Sequence, residues 1–188
     1  MDGLGNSLEG LLVLCATNLP WSIDSALRRR CQRRIYISLP DEHARRRLLE
    51  LHLGKLEPRP EVNAGEMTAL VAATENFSGS DIAVLVRDAI MEPVRICQSA
   101  ATFKEVMHDA GVWVTPCSPG DPDVIRWGDG RPRSMDLAEL TKIYSPSQLK
   151  APPVMYKHFL QAITRCKPSV SQDDLAKFVA FTDEFGQQ

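Results

Sequence analysis

The amino-acid sequence predicts a mainly helical α+β fold, in which a piece of α/β sheet is followed by a helical bundle that carries a small β inset. Three patterns predict it. Residues 11–16 form a continuous apolar run, which is typical of a strand buried on both faces. After residue 41, apolar residues recur every three or four positions, as they do in packed helices. Residues 112–153 alternate short apolar pieces with Pro, Gly and Asp, which favours short strands and tight turns.

The first 40 residues contain two predicted strands with a short helix between them. The first strand is Leu11–Ala16, and the second is Arg34–Leu39, which Pro40 stops. Ile23–Arg30 is predicted to form the helix, because Asp24 places a carboxylate in its first turn, where the helix dipole favours negative charge.

Four helices are predicted for the bundle, each from a cap residue followed by an apolar repeat. Proline in a helix interior removes a backbone hydrogen bond, so Pro93 is expected to end or kink the third of them. The predicted helices run from Asp41 to Gly54, from just after Asn63, from Ser78 or Ser80 to Pro93, and from Ser99 to Asp109 with Phe103 and Val106 or Met107 facing inward.

The inset is predicted to combine strand pieces with one or two helical turns at Asp136–Ile143. Two helices follow it. One begins near Met155, and Ser171 with Asp174 forms a capping box at the start of the other. The predicted inward face of this last helix consists of Leu175, Phe178, Val179, Thr182 and Phe185.

Composition and charge exclude several classes of protein. The 188 residues have a net charge of −2, without the positive excess of a generic polyanion binder. No apolar run approaches the ~20 residues of a membrane-spanning helix, and the first residues lack the layout of a signal peptide. The five cysteines include no C-x-x-C pair, which argues against a disulfide framework or a zinc ribbon and for a reducing compartment.

The most specific motif joins the first predicted strand to an arginine run. The strand ends in A-T-N-L-P-W, so the Asn18 amide is expected at the carboxyl edge of a parallel sheet, where α/β folds bind ligands. Beyond it, Arg28, Arg29 and Arg30 can reach a partner's phosphates with planar guanidinium groups. Taken alone, Asn18 would be a turn residue, and the arginine run would be a solvated face or a nucleic-acid patch. The net charge and the lack of an aromatic stacking platform disfavour nucleic acid.

Five stretches resemble the vacuolar protein sorting-associated protein 4 family of AAA ATPases, and the resemblance runs nearly end to end. The fourth stretch matters most, because related microtubule-severing AAA proteins look different there. The stretches are GLLVLCATNLPWSIDSALRRRCQRRIYISLP (10–40), FSGSDIAVLVRDAIMEPVR (77–95), QSATFKEV (98–106, with Ala101 extra), TPCSPGDP (115–122) and KPSVSQDDLAKFVAFTDEFG (167–186).

The resemblance implies roles for five residues. Asn18 matches the sensor-1 residue, and Arg29 and Arg30 match the arginine fingers that complete a neighbouring subunit's active site. Gly79 and Ser80 occupy a turn that lies against the adenine and ribose of the nucleotide in this family. A turn of small residues that opens a helix suits the close approach of a nucleotide.

Two residues depart from the family pattern. Cys31 stands where the family usually has Phe after the arginines, and Cys15 stands where it usually has Gly. Both substitutions bear on how the fingers are seated and how the strand packs. The four histidines show no metal-ligand spacing beside cysteine, so no metal site is predicted.

The resemblance implies that the chain corresponds to the C-terminal part of the family's sequence. It also implies a division of the chain into segments. AAA folds place a further strand between the two predicted here, so we expect 41–185 to be ordered and 1–39 to be poorly held. The implied segments are the C-terminal part of a AAA large domain (1–40), a helical lid (41–110), an inserted β subdomain (111–153), and a returning lid helix with a C-terminal helix (154–188).

Members of this family couple hydrolysis of ATP, with Mg²⁺, to the disassembly of ESCRT-III filaments at endosomal membranes, in a hexameric ring. The resemblance therefore implies a cytoplasmic protein recruited to endosomes, with like AAA subunits as partners. It also implies an activating cofactor docked on the inset 111–153, and ESCRT-III contacts mainly outside these 188 residues. Neither nucleic acid nor direct membrane insertion is expected.

The phosphate-binding motif of an ATPase is absent from the 188 residues. No G-x-x-x-x-G-K-[ST] loop occurs. Asp41 and Glu42 follow the second predicted strand but stand after Pro40 at a helix start, so they are not the Mg²⁺-binding acidic motif. We therefore expect that this chain alone neither binds ATP and Mg²⁺ tightly nor hydrolyses ATP. The alternative function is a non-catalytic module for oligomerisation and cofactor binding.

Overall fold

The computed structural model describes residues 13–31, 33–56, 60–108 and 111–186. It confirms a mainly helical fold with a small β inset. Its elements are the helices α1 (Ser25–Arg30), α2 (Glu42–Leu53), α3 (Ala64–Ala73) and α4 (Gly79–Ser99), the strands β1 (Phe103–His108) and β2 (Gly111–Pro116), and the helices α5 (Leu137–Ile143), α6 (Tyr156–Arg165) and α7 (Gln172–Phe185).

The chain divides into two units. The bundle unit is Leu39–Val170, and the arginine unit combines Met1–Ser38 with Ser171–Gln188. The bundle unit therefore contains α2 to α6 and the sheet, and the arginine unit contains α1 and α7. Across the described ranges, no helix has the length and apolarity needed to cross a membrane.

The first three helices of the bundle unit begin where the sequence predicts. The Asp41 carboxylate caps α2 by accepting a backbone N–H of its first turn at 2.7 Å. Asn63 and Glu66 form a reciprocal capping box for α3, and Ser78 and Asp81 form one for α4. Each cap satisfies an N–H group that has no partner within its helix, so these starts are fixed by residues three positions apart.

The core of the bundle unit forms where α4 packs against α2 and α6, and α3 packs against α2 and α6. Burial of apolar surface between these helices is the main force that holds them together. The buried residues of this core are Leu49, Leu53, Leu70, Val71, Phe77, Ile82, Leu85, Val86, Ala89, Phe159 and Ala162.

Pro93 does not end α4, because the helix continues through this residue to Ser99; the other expectation, a kink at the proline, stays a prediction. Pro93 is buried, and the preceding residue, Glu92, accepts hydrogen bonds from Arg95 and from Arg165 of α6. Proline costs a helix one backbone hydrogen bond. Here the burial and the ion pairs on both sides of the proline offset that cost, which a local sequence rule does not include.

The segment predicted as a helix over Ser99–Asp109 is the strand β1 instead. It pairs antiparallel with all six residues of β2. Phe103 is fully buried as predicted, but Val106 and Met107 are exposed rather than inward. A short apolar pattern fits a helix or a strand, and the hydrogen-bond ladder with β2 decides between them. Asp109 lies outside the described residues.

The inset has a core of its own beside the hairpin of β1 and β2. Strand pieces further along form isolated bridges, such as Lys104 with Val124, and Lys104 also forms an ion pair with Asp121 at 2.9 Å. The predicted helix of the inset is confirmed as α5, with Asp136 as its cap. The buried residues of this second core are Phe103, Val114, Met135 and Leu140.

The two strands predicted before residue 40 do not form in the described residues. Val13–Ala16 and 34–39 have irregular backbone, and Ile35 is 81% exposed. A strand needs a neighbour for its backbone N–H and C=O groups. Within the described part of the chain, no segment pairs with either of them. Leu11 and Leu12 lie outside the described residues.

His158 of α6 is 1% exposed, and its two ring nitrogens differ in environment. Nδ1 accepts the N–H of Met155 at 3.0 Å, which places the proton of the neutral ring on Nε2. Nε2 is buried and has no hydrogen-bond partner among the described residues. Burial lowers the pKa of His158, the charge of Lys157 lowers it further, and Glu92 opposes both effects.

We expect the bundle unit to lose stability as the pH falls below 6.5, the ordinary pKa of histidine. Because the folded-state pKa of His158 is lower, the unfolded chain takes up a proton first. The contribution of neutral His158 to the free energy of unfolding is complete above pH 6.5. It declines as the pH falls from 6.5 toward the lowered folded-state pKa. Urea unfolding at about pH 7.5 and about pH 5.5 measures the decline.

His158→Gln is expected to remove most of this pH dependence, whereas His43→Gln, at an exposed position of α2, is expected to keep it. Asp81 and Glu92 have lowered pKa values, so they titrate below this window. A wild-type decline that His158→Gln leaves unchanged would contradict the assignment.

Candidate functional site

Asn18 lies in an exposed turn shortly before α1. The Thr17 hydroxyl accepts the N–H of Leu19 at 3.0 Å, and Pro20–Ser22 adds one 3-10 turn. These local contacts shape the backbone on both sides of Asn18. The amide side chain is therefore placed on the surface of the arginine unit, where a ligand can reach it.

Helix α1 ends in three arginines, which the helix dipole favours in the last turn. Arg28 is half-buried, and its Cζ lies 4.7 Å from the ring centre of Phe185 in α7. Arg29 and Arg30 are exposed. One arginine of the run thus contacts α7, and the next two are at exposed positions.

Aromatic contacts attach Trp21 and Tyr36, which lie before and after α1, to α7. The Phe178 ring centre lies 5.1 Å from that of Trp21 and 5.9 Å from that of Tyr36. Such pairs contribute about 0.5–1.5 kcal/mol each beyond the area they bury. The prediction that Val179 faces inward is wrong, since this residue is half exposed; α7 has no fully buried residue.

A shallow depression on the arginine unit is lined by Ser25, Arg28, Arg29, Arg34 and Phe185. Three arginines therefore line it, and none of its lining residues in the described part of the chain is acidic. The Nε atom of Arg34 is buried and has no hydrogen-bond partner among the described residues. Guanidinium groups without a carboxylate partner make a surface that attracts oxyanions.

Gly79 and Ser80 are the first two residues of α4 in the bundle unit. Ser80 is exposed and Gly79 is half-buried. A Cβ atom added at Gly79 would lie 3.8 Å from Cδ1 of Leu48, which is an ordinary contact. The packing of the bundle unit therefore does not itself require glycine at this turn.

The Asp81 carboxylate lies directly after this turn. Its Oδ2 accepts the N–H of Ser78 at 2.8 Å, the N–H of Ser169 at 3.2 Å and the hydroxyl of Ser169 at 3.0 Å. Burial raises the pKa of Asp81, but the hydrogen bonds from Ser78 and Ser169 outweigh it and lower the pKa overall. The carboxylate is therefore ionised at neutral pH.

The residues singled out from the sequence fall in both units. Asn18, Arg29 and Arg30 belong to the arginine unit, whereas Gly79 and Ser80 belong to the bundle unit. Within the described residues, no group of three or more His, Cys, Asp or Glu side chains could hold a metal ion.

The sequence analysis missed three contributors to these surfaces. Arg34 was assigned only to a strand, although it is one of the basic residues just after the arginine run. Phe185 was assigned only to the inward face of a helix. Ser169 carried no signal, because it lies 88 positions from Asp81 and only the fold brings the two together.

Three family models match successive parts of the chain. The model of the ATPase family associated with various cellular activities (AAA) matches residues 1–39. The AAA+ lid domain matches residues 66–108, and the Vps4 C terminal oligomerisation domain matches residues 114–186.

Curated relatives match the whole chain. It is 42% identical over 196 residues to vacuolar protein sorting-associated protein 4 of Dictyostelium discoideum, and 40% identical over 197 residues to vacuolar protein sorting-associated protein 4A of Homo sapiens. Both matches cover 100% of this chain, which spans 40% and 42% of the length of the two relatives. A solved structure described as "Structural Basis for Katanin Self-Assembly" is 29% identical, has a TM-score of 0.55, and is matched over 89% of this chain and 45% of that chain.

Phe178→Ala is expected to loosen the arginine unit, because it removes both aromatic contacts to residues 20–36. Each aromatic pair contributes about 0.5–1.5 kcal/mol. The loss of both should therefore raise the amide hydrogen exchange of the described residues between 20 and 36 about tenfold or more. Val179→Ala, one residue along and half exposed, is the matched control and should leave exchange unchanged. Equal exchange in the two variants would show that Phe178 does not hold this segment.

Proposed function

Because the chain belongs to the Vps4 family of AAA ATPases, we propose that it supplies a sensor residue, arginine fingers and a lid to nucleotide sites in a ring of like subunits. The observation that carries this proposal is the exposed position of Arg29 and Arg30 at the end of α1, inside the segment that the AAA family model matches. An arginine at an exposed position can reach a phosphate that another subunit holds.

In this proposal Arg29 and Arg30 act in trans, and Asn18 acts in cis. The two guanidinium groups stabilise the charge that develops on the γ-phosphate of the neighbouring subunit's ATP, and such fingers accelerate hydrolysis by ~10³-fold or more in comparable NTPases. Asn18 orients a water or a phosphate oxygen without adding charge. Its exposure and the local contacts that shape its turn support this role.

Gly79 and Ser80 contact the adenine and ribose of a nucleotide bound in cis. The absence of a side chain at Gly79 is not required by packing in the bundle unit, which leaves close approach of a ligand as a reason for it. The start of α4 also carries the positive end of the dipole of a 21-residue helix.

The intact protein uses ATP and Mg²⁺ to take apart ESCRT-III filaments at endosomal membranes. The relatives' names, which refer to vacuolar protein sorting, support this setting. In this scheme residues 1–40 belong to the AAA large domain, 41–110 and 154–188 form the lid with its C-terminal helix, and 111–153 docks an activating cofactor. The oligomerisation domain matched at 114–186 supports a ring of subunits.

The chain by itself is expected to show no ATP hydrolysis, because its 188 residues contain no phosphate loop to hold the β- and γ-phosphates. A phosphate-release assay on the purified chain measures this. Turnover that persists through further purification and is lost in the double variant Arg29→Ala, Arg30→Ala would contradict the expectation.

The finger role is tested by adding the chain to an intact Vps4 subunit whose own arginine fingers are mutated. The wild-type chain should restore hydrolysis, and Arg29→Ala or Arg30→Ala should abolish the restoration. Arg47→Ala is the control, because Arg47 is an exposed arginine of α2 that pairs only with Glu50 of the same helix among the contacts described. Restoration by the Arg29 and Arg30 variants would rule out the finger role.

A second function, that of a non-catalytic module for oligomerisation and cofactor binding, is favoured by the match to the oligomerisation domain. The same mixture distinguishes the two functions when sedimentation is measured beside hydrolysis. Co-sedimentation of the chain with the intact subunit, without restored hydrolysis, would support the module alone.

A further inference from the structure

Residues 126–133 form a tight hairpin in the inset, the tip hairpin. The N–H of Trp127 donates to the C=O of Arg131, and the N–H of Gly130 donates to the C=O of Trp127, both at 2.9 Å. The Asp129 carboxylate accepts the N–H of Arg131 at 3.0 Å. These bonds fix the backbone, so the tip hairpin holds its side chains on a preorganised turn.

Trp127 is the only large apolar side chain of the tip hairpin, and it is 50% exposed. Cζ of Arg133 lies 4.4 Å from the centre of the Trp127 ring, within the range of a cation–π contact. Nε of Arg133 is buried and has no hydrogen-bond partner among the described residues. A half-exposed tryptophan next to an arginine is a combination that is enriched at the centres of protein interfaces.

The tip hairpin is a positive patch on a chain with a net charge of −2, because its three arginines and one aspartate give it a net charge of +2. Asp129 pairs with Arg131, with Nε and Oδ2 at 3.1 Å. Arg126 donates to a backbone C=O of the turn at 2.9 Å. Among the described residues, neither Arg126 nor Arg133 forms an ion pair with a carboxylate. Two positive charges of the tip hairpin therefore have no counter-charge.

We infer that the tip hairpin binds an acidic segment of a partner protein. Carboxylates of the segment pair with Arg126 and Arg133, and an apolar side chain of the segment covers the exposed part of Trp127. The inference rests on the proposed function only in treating 111–153 as a docking region, and it adds the surface that binds and the chemistry of the partner.

Charge complementarity is the reason for an acidic partner. Hydrogen bonds between guanidinium and carboxylate groups are charge-assisted and are stronger than neutral ones. Opposite charges across an interface also speed association and disfavour partners of the wrong charge. Because the backbone of the tip hairpin is already fixed, binding costs little conformational entropy there.

Asp129 favours a protein over a nucleic acid or an anionic membrane. It is a central residue of the turn that Trp127 and Gly130 close, and its side chain is 51% exposed. Its carboxylate repels phosphate groups, which nucleic acids and anionic membranes both present at high density. Stacking of bases uses successive aromatic rings, and membrane anchoring uses several apolar side chains, whereas the tip hairpin has only Trp127.

The test uses the whole chain and three fluorescein-labelled peptides, whose binding is measured by fluorescence anisotropy. DELDELDELDEL contains carboxylates and leucines, NQLNQLNQLNQL replaces every carboxylate by an amide, and DESDESDESDES replaces every leucine by serine. In about 50 mM salt, the first peptide should bind about tenfold more tightly than the second and about threefold more tightly than the third. Equal binding of the first two peptides would refute the inference.

Variants of the chain locate the binding surface. Arg126→Gln and Arg133→Gln should each weaken binding of DELDELDELDEL about three- to tenfold, because each removes one charge from the tip hairpin. Arg47→Gln is the matched control, since it removes the same charge from an exposed position of α2, and it should change binding less than about twofold. Trp127→Ala should abolish the preference for leucine over serine. Equal weakening by all three arginine variants would show a non-specific attraction and contradict the assignment.

Phosphatidylserine vesicles and a thymidine oligonucleotide test the other partners. Binding of either that is tighter than that of DELDELDELDEL and is lost in Arg126→Gln and Arg133→Gln would overturn the choice of a protein. The peptide measurement involves no nucleotide, ring or cofactor, so it decides the inference even where the proposed function fails. A cofactor that docks on 111–153 while the acidic peptide does not bind would keep the docking role and exclude this surface.

Discussion

Burial of the apolar face of α4 is the interaction on which the rest of the bundle unit depends. Ile82, Leu85 and Ala89 are fully buried in the core, and α4 packs against α2, α6 and β2. The first turn of α4 contains Gly79 and Ser80, and the C-terminal end of α4 leads into β1. The positions of the proposed nucleotide turn and of the inset hairpin therefore both follow from one buried helix.

Features that depend on neighbouring residues could be predicted from the sequence, and features that depend on distant partners could not. The capping box of Asn63 and Glu66 spans three positions, so it is visible in the sequence and present in the structure. Next to Pro93, by contrast, Glu92 accepts a hydrogen bond from Arg165, which lies in another helix, and a local pattern cannot report this contact. The strand β1 likewise depends on its ladder with β2, so its local apolar pattern gave the wrong element.

In the arginine unit, too, the contacts with distant residues could not be predicted from the sequence. The apolar run Leu11–Ala16 is typical of a strand in the interior of a sheet. A strand needs a neighbouring strand to pair with, and the described residues provide none. Residues 20–36 are held instead by Phe178, whose partners Trp21 and Tyr36 come from before and after α1. The sequence therefore identified which residues form the arginine run, while the surface that supports it depends on aromatic contacts with α7.

The number of donors at residue 81 explains why a carboxylate is needed there. Glu66 of α3 accepts one backbone N–H, from Asn63, and an amide side chain could do the same. Asp81 accepts three donors on a single oxygen. A hydroxyl or an amide oxygen carries no charge, whereas an ionised carboxylate makes charge-assisted bonds to all three donors. The negative charge at this position thus reflects the link to Ser169 more than the capping of α4.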